Sequence, residues 1–188
     1  MERPYDDFQY INSLVKEFTG QRKVRSALRV IHANDITGWE VWFQVEFATF
    51  LAEHEDQPEW VREVRFEFDY RREKYNWYLK PDFLIRKKGA AVSKYIALEI
   101  KQHRQLGSCI SNMIADLAKV RKIRKSEVDL RSYWALGIFQ ADEQDNIENT
   151  IKTKLFEHGL PVFPGLMIYD KIGNTGFRYA LLPGLEYQ

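Results

Sequence analysis

A single cysteine, Cys109, in 188 residues excludes an intramolecular disulfide and a cysteine-built zinc centre. It suits a reducing compartment, and a cytoplasmic location is the expectation. The neighbours Ile110, Met113 and Ile114 describe a half-buried helical thiol and outweigh a nucleophilic role. Charge of one sign is also missing: 28 Lys and Arg stand against 27 Asp and Glu, a net +1. A nucleic-acid partner would therefore have to meet basic residues gathered on one face. No apolar run approaches the length of a membrane span, and Met1-Glu-Arg-Pro-Tyr-Asp-Asp7 has no apolar signal core. The histidines (His32, His54, His103 and His158) show no paired metal spacing, and only His103 falls near the stretch singled out below. Gly173-Asn-Thr-Gly176 lacks the lysine and the strand-to-helix setting of a phosphate loop. Repeats and low-complexity linkers are absent too. The expectation is one domain over 1–188, with an N-terminal helical segment (1–35), a core (36–140) and a C-terminal helix and hairpin (141–188).

What is present is ordinary globular patterning. Phe8, Ile11, Leu14, Val15 and Phe18 sit at helical spacing, with Asp6 or Asp7 as a cap and Gly20 as a stop. Gln21-Arg-Lys-Val-Arg25 and Arg29 form either a solvated basic face or a phosphate-contacting patch. After the helix-start signal Asn34–Gly38, Trp39, Trp42, Phe43, Phe47 and Phe50 make an apolar stripe down to Leu51. Glu46 falls inside that stripe, where an unpartnered carboxylate is costly. It calls for a basic partner such as Arg62 or Arg65, a raised pKa, or a metal. Val64, Phe66, Phe68 and Tyr70 alternate with charged residues as a strand does, and Arg71–Asn76 forms a polar turn.

Further on, Gln102–Gly107 has the composition of a loop, and a helix is expected from about Ser108 to Arg124. Its inward stripe is Ile110, Met113, Ile114, Leu117 and Val120. Its end carries Lys119, Arg121, Lys122, Arg124 and Lys125, the densest basic cluster in the chain. The helix dipole alone favours cations there, so the cluster needs no ligand. Tyr133–Phe139 is a strand covered on both faces, Asp142–His158 a helix, and Leu166–Tyr169 with Phe177–Leu182 a hairpin. The order of elements gives an α/β protein: a mixed sheet of about five strands flanked by helices.

The chemistry concentrates between Tyr78 and Lys101. Leu79–Ile85 and Tyr95–Ile100 are expected strands around a turn at Arg86–Gly89. Side chains alternate along a strand, so Ile96, Leu98 and Ile100 share one face, and Ala97, Glu99 and Lys101 the other. Pairing the two strands as a hairpin brings Asp82, which follows Pro81, within reach of that second face. Pro81-Asp82, the Glu99-Ile100-Lys101 strand and an upstream helical glutamate together resemble the PD-(D/E)XK nuclease superfamily over residues 36–140.

That resemblance implies a restriction-endonuclease-like fold and Mg²⁺-dependent hydrolysis of phosphodiester bonds in nucleic acid, with Mn²⁺ able to substitute. It makes Asp82 and Glu99 metal ligands, with the Ile100 carbonyl as a third and Glu46 coordinating directly or through water. Lys101 would orient or deprotonate the attacking water or stabilise charge, and Gln102 would support from behind. Lys119, Lys122, Arg124 and Lys125 are the candidate nucleic-acid contacts. DNA is the expected substrate, and a homodimer or a place in a larger complex follows from the small size. The alternative is a catalytically silent nuclease-fold subunit that binds DNA or assembles a complex.

Overall fold

The computed structural model describes residues 2–67, 78–91, 95–120, 122–123 and 130–184. Its centre is a six-stranded mixed sheet in the order β1-β4-β5-β6-β8-β7. These strands are β1 (Glu59–Arg62), β4 (Phe83–Arg86), β5 (Tyr95–Gln105), β6 (Leu130–Gln140), β7 (Ile168–Lys171) and β8 (Phe177–Pro183). β2 (Phe66–Glu67) and β3 (Tyr78–Leu79) pair separately as a two-stranded ribbon. Five helices accompany them: α1 (Glu2–Gly20), α2 (Arg22–Ala33), α3 (Glu40–Glu53), α4 (Leu106–Val120) and α5 (Ile147–Glu157). None is long and apolar enough to cross a membrane.

Two apolar layers cover the sheet. On one face α1, α2 and α3 bury Phe18, Leu28, Phe43 and Phe47 against Phe83, Ile96, Leu98 and Ile100. Phe47 meets Phe83 edge-on at 5.2 Å between ring centroids, which anchors α3 over β4. On the other face α4 and α5 bury Met113, Ile114 and Ile151 against Leu84, Ala97, Ala135 and Leu182. The alternation expected along β5 is therefore the one observed. β5 and β6 run parallel, joined by α4 as crossover, while β1, β4 and β5 form an antiparallel meander. A Cβ on Gly137 would lie 2.2 Å from Met113 Sδ, so glycine is what lets α4 approach β6 so closely.

Several elements differ from the sequence expectation, and the sheet has six strands where about five were expected. The strand expected over Leu79–Ile85 is broken at Lys80-Pro81-Asp82, because Pro81 has no N–H to continue a ladder. Gln102–Gln105, expected as a loop, extends β5: Gln102 pairs with Ile138 and Gln105 with Gln140, so sheet pairing overrides the polar composition. Asp7 does not cap α1. Its buried carboxylate accepts from Ser132 Oγ at 2.8 Å and pairs with Arg131, tying α1 to β6, and burial raises its pKa. The helix expected from Asp142 begins later, at Ile147, where the Asn146 side chain accepts from Asn149 N. Of the expected strand Val64–Tyr70, Phe66–Glu67 is β2, while Phe68 and Tyr70, like the turn at 71–76, lie outside the described residues.

Candidate active site

The break at Pro81 shapes the site. β4 pairs with β5 as far as Phe83 opposite Leu98, and continuing that register by one residue sets Asp82 beside Glu99. Beyond Leu98 the next β5 amides on the β4 side, those of Ile100 and Gln102, have no strand to bond among the described residues. Carboxylates take the place of the missing strand: Ile100 N donates to Asp82 Oδ2 at 2.7 Å, and Gln102 N donates to Glu40 Oε2 at 2.9 Å. Alternate amides of a strand point the same way, so two acids from separate elements finish one edge of β5.

On the α4 side of the sheet, Glu99 and Lys101 protrude from β5 with both side chains largely buried. Lys101 Nζ lies 2.6 Å from Glu99 Oε1 and 2.9 Å from Asp116 Oδ2 of α4. The second oxygen of Asp116 holds Lys119. Tyr133 of β6 directs its hydroxyl towards Glu99 Oε2 at 3.5 Å. The carboxylates thus form a chain, Glu40 acting on Asp82, and Asp82 and Asp116 on Glu99, with Lys101 and Arg62 contributing positive charge beside Asp82.

The electrostatics follow from that crowding. Burial, opposed by the Ile100 amide and Lys101 but reinforced by Glu40, pushes the Asp82 pKa up to about 6. Burial and then the Asp82 charge push Glu99 up to about 7. Burial works against the Lys101 charge, but Glu99 and then Asp116 outweigh it and hold the ammonium well above its ordinary range. Lys101 in this arrangement is a cation and a hydrogen-bond donor, so charge stabilisation and orientation suit it better than proton abstraction.

The donor set fits a hard divalent cation. Every candidate ligand is oxygen: the Asp82 and Glu99 carboxylates, the Ile100 carbonyl and the nearby Glu40. Among the described residues no three His, Cys, Asp or Glu side chains stand gathered as a ready-made cage. Mg²⁺ does not require one, because it is held through one or two carboxylates and keeps several waters.

The sequence-expected residues separate into groups. Asp82, Glu99 and Lys101 converge on one place, with the Ile100 backbone between them. Glu46 instead pairs with Lys23 of α2 at 3.1 Å and is part-exposed. Glu40 occupies the upstream position instead. Six residues along a helix turn a side chain by about 240°, so Glu40 and Glu46 cannot serve the same spot. Gln102 contributes its backbone amide to Glu40. His103 Nδ1 accepts from Gln105 N at 3.0 Å and remains local to the end of β5. Cys109 is fully buried, and burial lifts its thiol to about 12, so nucleophilic chemistry there is disfavoured.

Of the basic cluster, Lys119 is engaged by Asp116 and Lys122 follows just after α4, while Arg121, Arg124 and Lys125 lie outside the described residues. The basic segment at the start of α2 is largely tied internally: Lys23 to Glu46, Arg25 Nε to Thr19 O at 3.0 Å, and Arg29 to Asn174 Oδ1 at 3.2 Å.

Two site residues went unread. Asp116 follows Met113 by three positions and precedes Val120 by four, so it falls inside the apolar stripe of α4 as Glu46 does in that of α3. That spacing was its signal. Glu40 resembles an ordinary first-turn acid, and nothing in the sequence distinguishes it. No protein-family model, curated protein or solved structure matches the chain.

Proposed function

We propose that this chain is a Mg²⁺-dependent nuclease that hydrolyses phosphodiester bonds in DNA, with a PD-(D/E)XK type of site on a restriction-endonuclease-like fold. The observation that carries the reading is the convergence of Asp82, just before β4, and Glu99 of the antiparallel β5 on one spot beside the Lys101 ammonium. The order of helix, three strands, crossover helix and parallel strand around that spot supports it further. So does the chemistry: Glu99, buried, and Asp82, half-buried, both with raised proton affinity, are an unfavourable arrangement that a divalent cation would relieve.

Asp82, Glu99 and the Ile100 carbonyl would hold Mg²⁺, with Glu40 behind Asp82. When bound, Mg²⁺ lowers the pKa of a coordinated water and neutralises charge on the scissile phosphate. Lys101 would supply a positive charge and N–H donors to phosphate oxygens, where negative charge grows during attack. The amides of Ile100 and Gln102 donate to Asp82 and Glu40, which ties these two acids to the edge of β5 at the site. Lys119, Lys122, Arg124 and Lys125 at the end of α4 would track the DNA backbone, and the site would operate in the cytoplasm.

Calorimetric titration with Mn²⁺ tests the reading. Binding by the wild type and its loss in Glu99→Gln is the expected result. No heat of binding in the wild type, with the protein folded, would overturn the metal site.

A further inference from the structure

We infer that Asp116 is a positioning residue, one that keeps the Lys101 ammonium at the reacting centre when Glu99 turns to a cation; the inference rests on the nuclease reading above. Lys101 Nζ has two carboxylate partners, Glu99 Oε1 at 2.6 Å and Asp116 Oδ2 at 2.9 Å. Glu99 cannot give its charge wholly to a metal ion and to Lys101 at once. If it were the sole partner, metal binding would release a long, flexible ammonium towards solvent, where it is readily hydrated. Asp116 prevents this from a separate, rigid element. Its side chain is only 9% exposed, and it sits on α4, which packs against β6 at Gly137.

Structural ion pairing alone does not account for the placement. Ion pairs elsewhere in the protein, such as Lys152 with Glu148 within α5, lie on the surface and are inexpensive to form. Asp116 is instead a buried acid within an apolar stripe, and its contacts are to lysines: Lys101 beside the site and Lys119 at the end of α4. It therefore joins the candidate metal site to the end of the helix that carries the basic cluster. The acid that holds Lys101 also holds the first lysine of that cluster.

Lysine ammonium resonances in ¹⁵N-labelled protein test this directly, with Lys101 assigned by its disappearance in Lys101→Arg. In wild type the Lys101 signal should be protected from exchange in EDTA and should remain so when Mg²⁺ is added. In Asp116→Asn it should be protected in EDTA, where Glu99 still holds it, and be lost on adding Mg²⁺. On the same samples kcat for DNA cleavage should fall about a hundredfold, the scale on which a displaced catalytic group acts. KM for DNA and the midpoint for Mg²⁺ should change little, and Asp116→Glu should restore part of kcat.

A Lys101 signal retained in Asp116→Asn with Mg²⁺, or a variant that loses thermal stability while kcat holds, overturns the inference. Should Asp116→Asn fail to fold, the wild-type spectrum still decides: loss of the Lys101 signal on adding Mg²⁺ overturns it. Glu99 and Asp82 carboxyl resonances that ignore Mg²⁺ altogether, with no DNA cut, would instead overturn the nuclease reading beneath it.

Discussion

Asp82 accepts the Ile100 amide at 2.7 Å, as the backbone of a longer β4 would have done. One carboxylate thus completes the edge of the sheet and presents its remaining lone pairs to the site. Structure and chemistry share the same side chain, and substitution can separate them.

Asp82→Ala removes the acceptor and leaves a buried N–H unpaired, which costs about 1–3 kcal/mol. Asp82→Asn keeps an acceptor oxygen while removing the charge. The asparagine variant should melt at or above the wild-type temperature in EDTA, and the alanine variant below it. Neither should bind Mn²⁺ in calorimetry or cut DNA.

Without metal, stability should decline with pH. Folded Asp82 and Glu99 hold their protons up to about pH 6 and about pH 7, whereas the unfolded chain releases both near about pH 4. The folded state therefore binds more protons between those limits. The stability these groups contribute is complete below the unfolded values and is lost as pH rises through the folded ones. Lys101 stays protonated throughout and adds no slope. Melting temperatures in EDTA should fall from pH 5 to pH 8, corresponding to a loss on the order of 4 kcal/mol. Saturating Mg²⁺ should flatten the decline, and a profile that rises in EDTA would contradict it.

Glu46 and Glu40 should behave differently. The resemblance implies Glu46 at the metal, where Glu46→Gln would stabilise the metal-free protein and lower cleavage; an internal salt bridge to a basic residue is the other reading. In the structure Glu46 forms a part-exposed pair with Lys23. Glu46→Gln should therefore change stability by less than about 1 kcal/mol and leave Mg²⁺ affinity unchanged. Glu40→Gln keeps an acceptor for Gln102 N but removes a negative charge beside Asp82, and it should weaken Mg²⁺ binding. Paired melting curves and metal titrations of the two variants decide between them.

How much was legible follows from the range of the interactions. The opposed faces of β5, with Ile96, Leu98 and Ile100 against Glu99 and Lys101, were readable because strand alternation is local. The closing hairpin was readable from its turn residues: β8 falls where expected, and β7 begins two residues later than expected, at Ile168. The extension of β5 through Gln105 was not, because its cause is pairing with Gln140, far along the chain. The choice between Glu40 and Glu46 depends on how α3 is rotated on the sheet, which the edge-on contact of Phe47 with Phe83 helps to set. An acid within an apolar stripe was a sound signal for Asp116 and a misleading one for Glu46. Only the packing tells which stripe faces the site.

If the end of α4 tracks a nucleic-acid backbone, substituting Lys122 and Arg124 together with alanine should weaken DNA binding across sequences. The slope of log affinity against log salt should become shallower by about 0.9 for each lost phosphate contact. Fluorescence anisotropy over a salt series measures it. An unchanged slope would leave those residues as a solvated face that merely complements the helix dipole.

Cleavage of supercoiled plasmid, alongside linear, single-stranded and branched DNA, tests the central claim most directly. Wild type, Glu99→Ala and Lys101→Ala would be compared with Mg²⁺, Mn²⁺ or EDTA. The account predicts that wild-type protein cuts at least one of these substrates with either metal and none in EDTA, and that both variants stay folded and cut nothing. Full activity in Glu99→Ala, or a folded wild type that binds Mn²⁺ yet cuts none of the substrates, would contradict it.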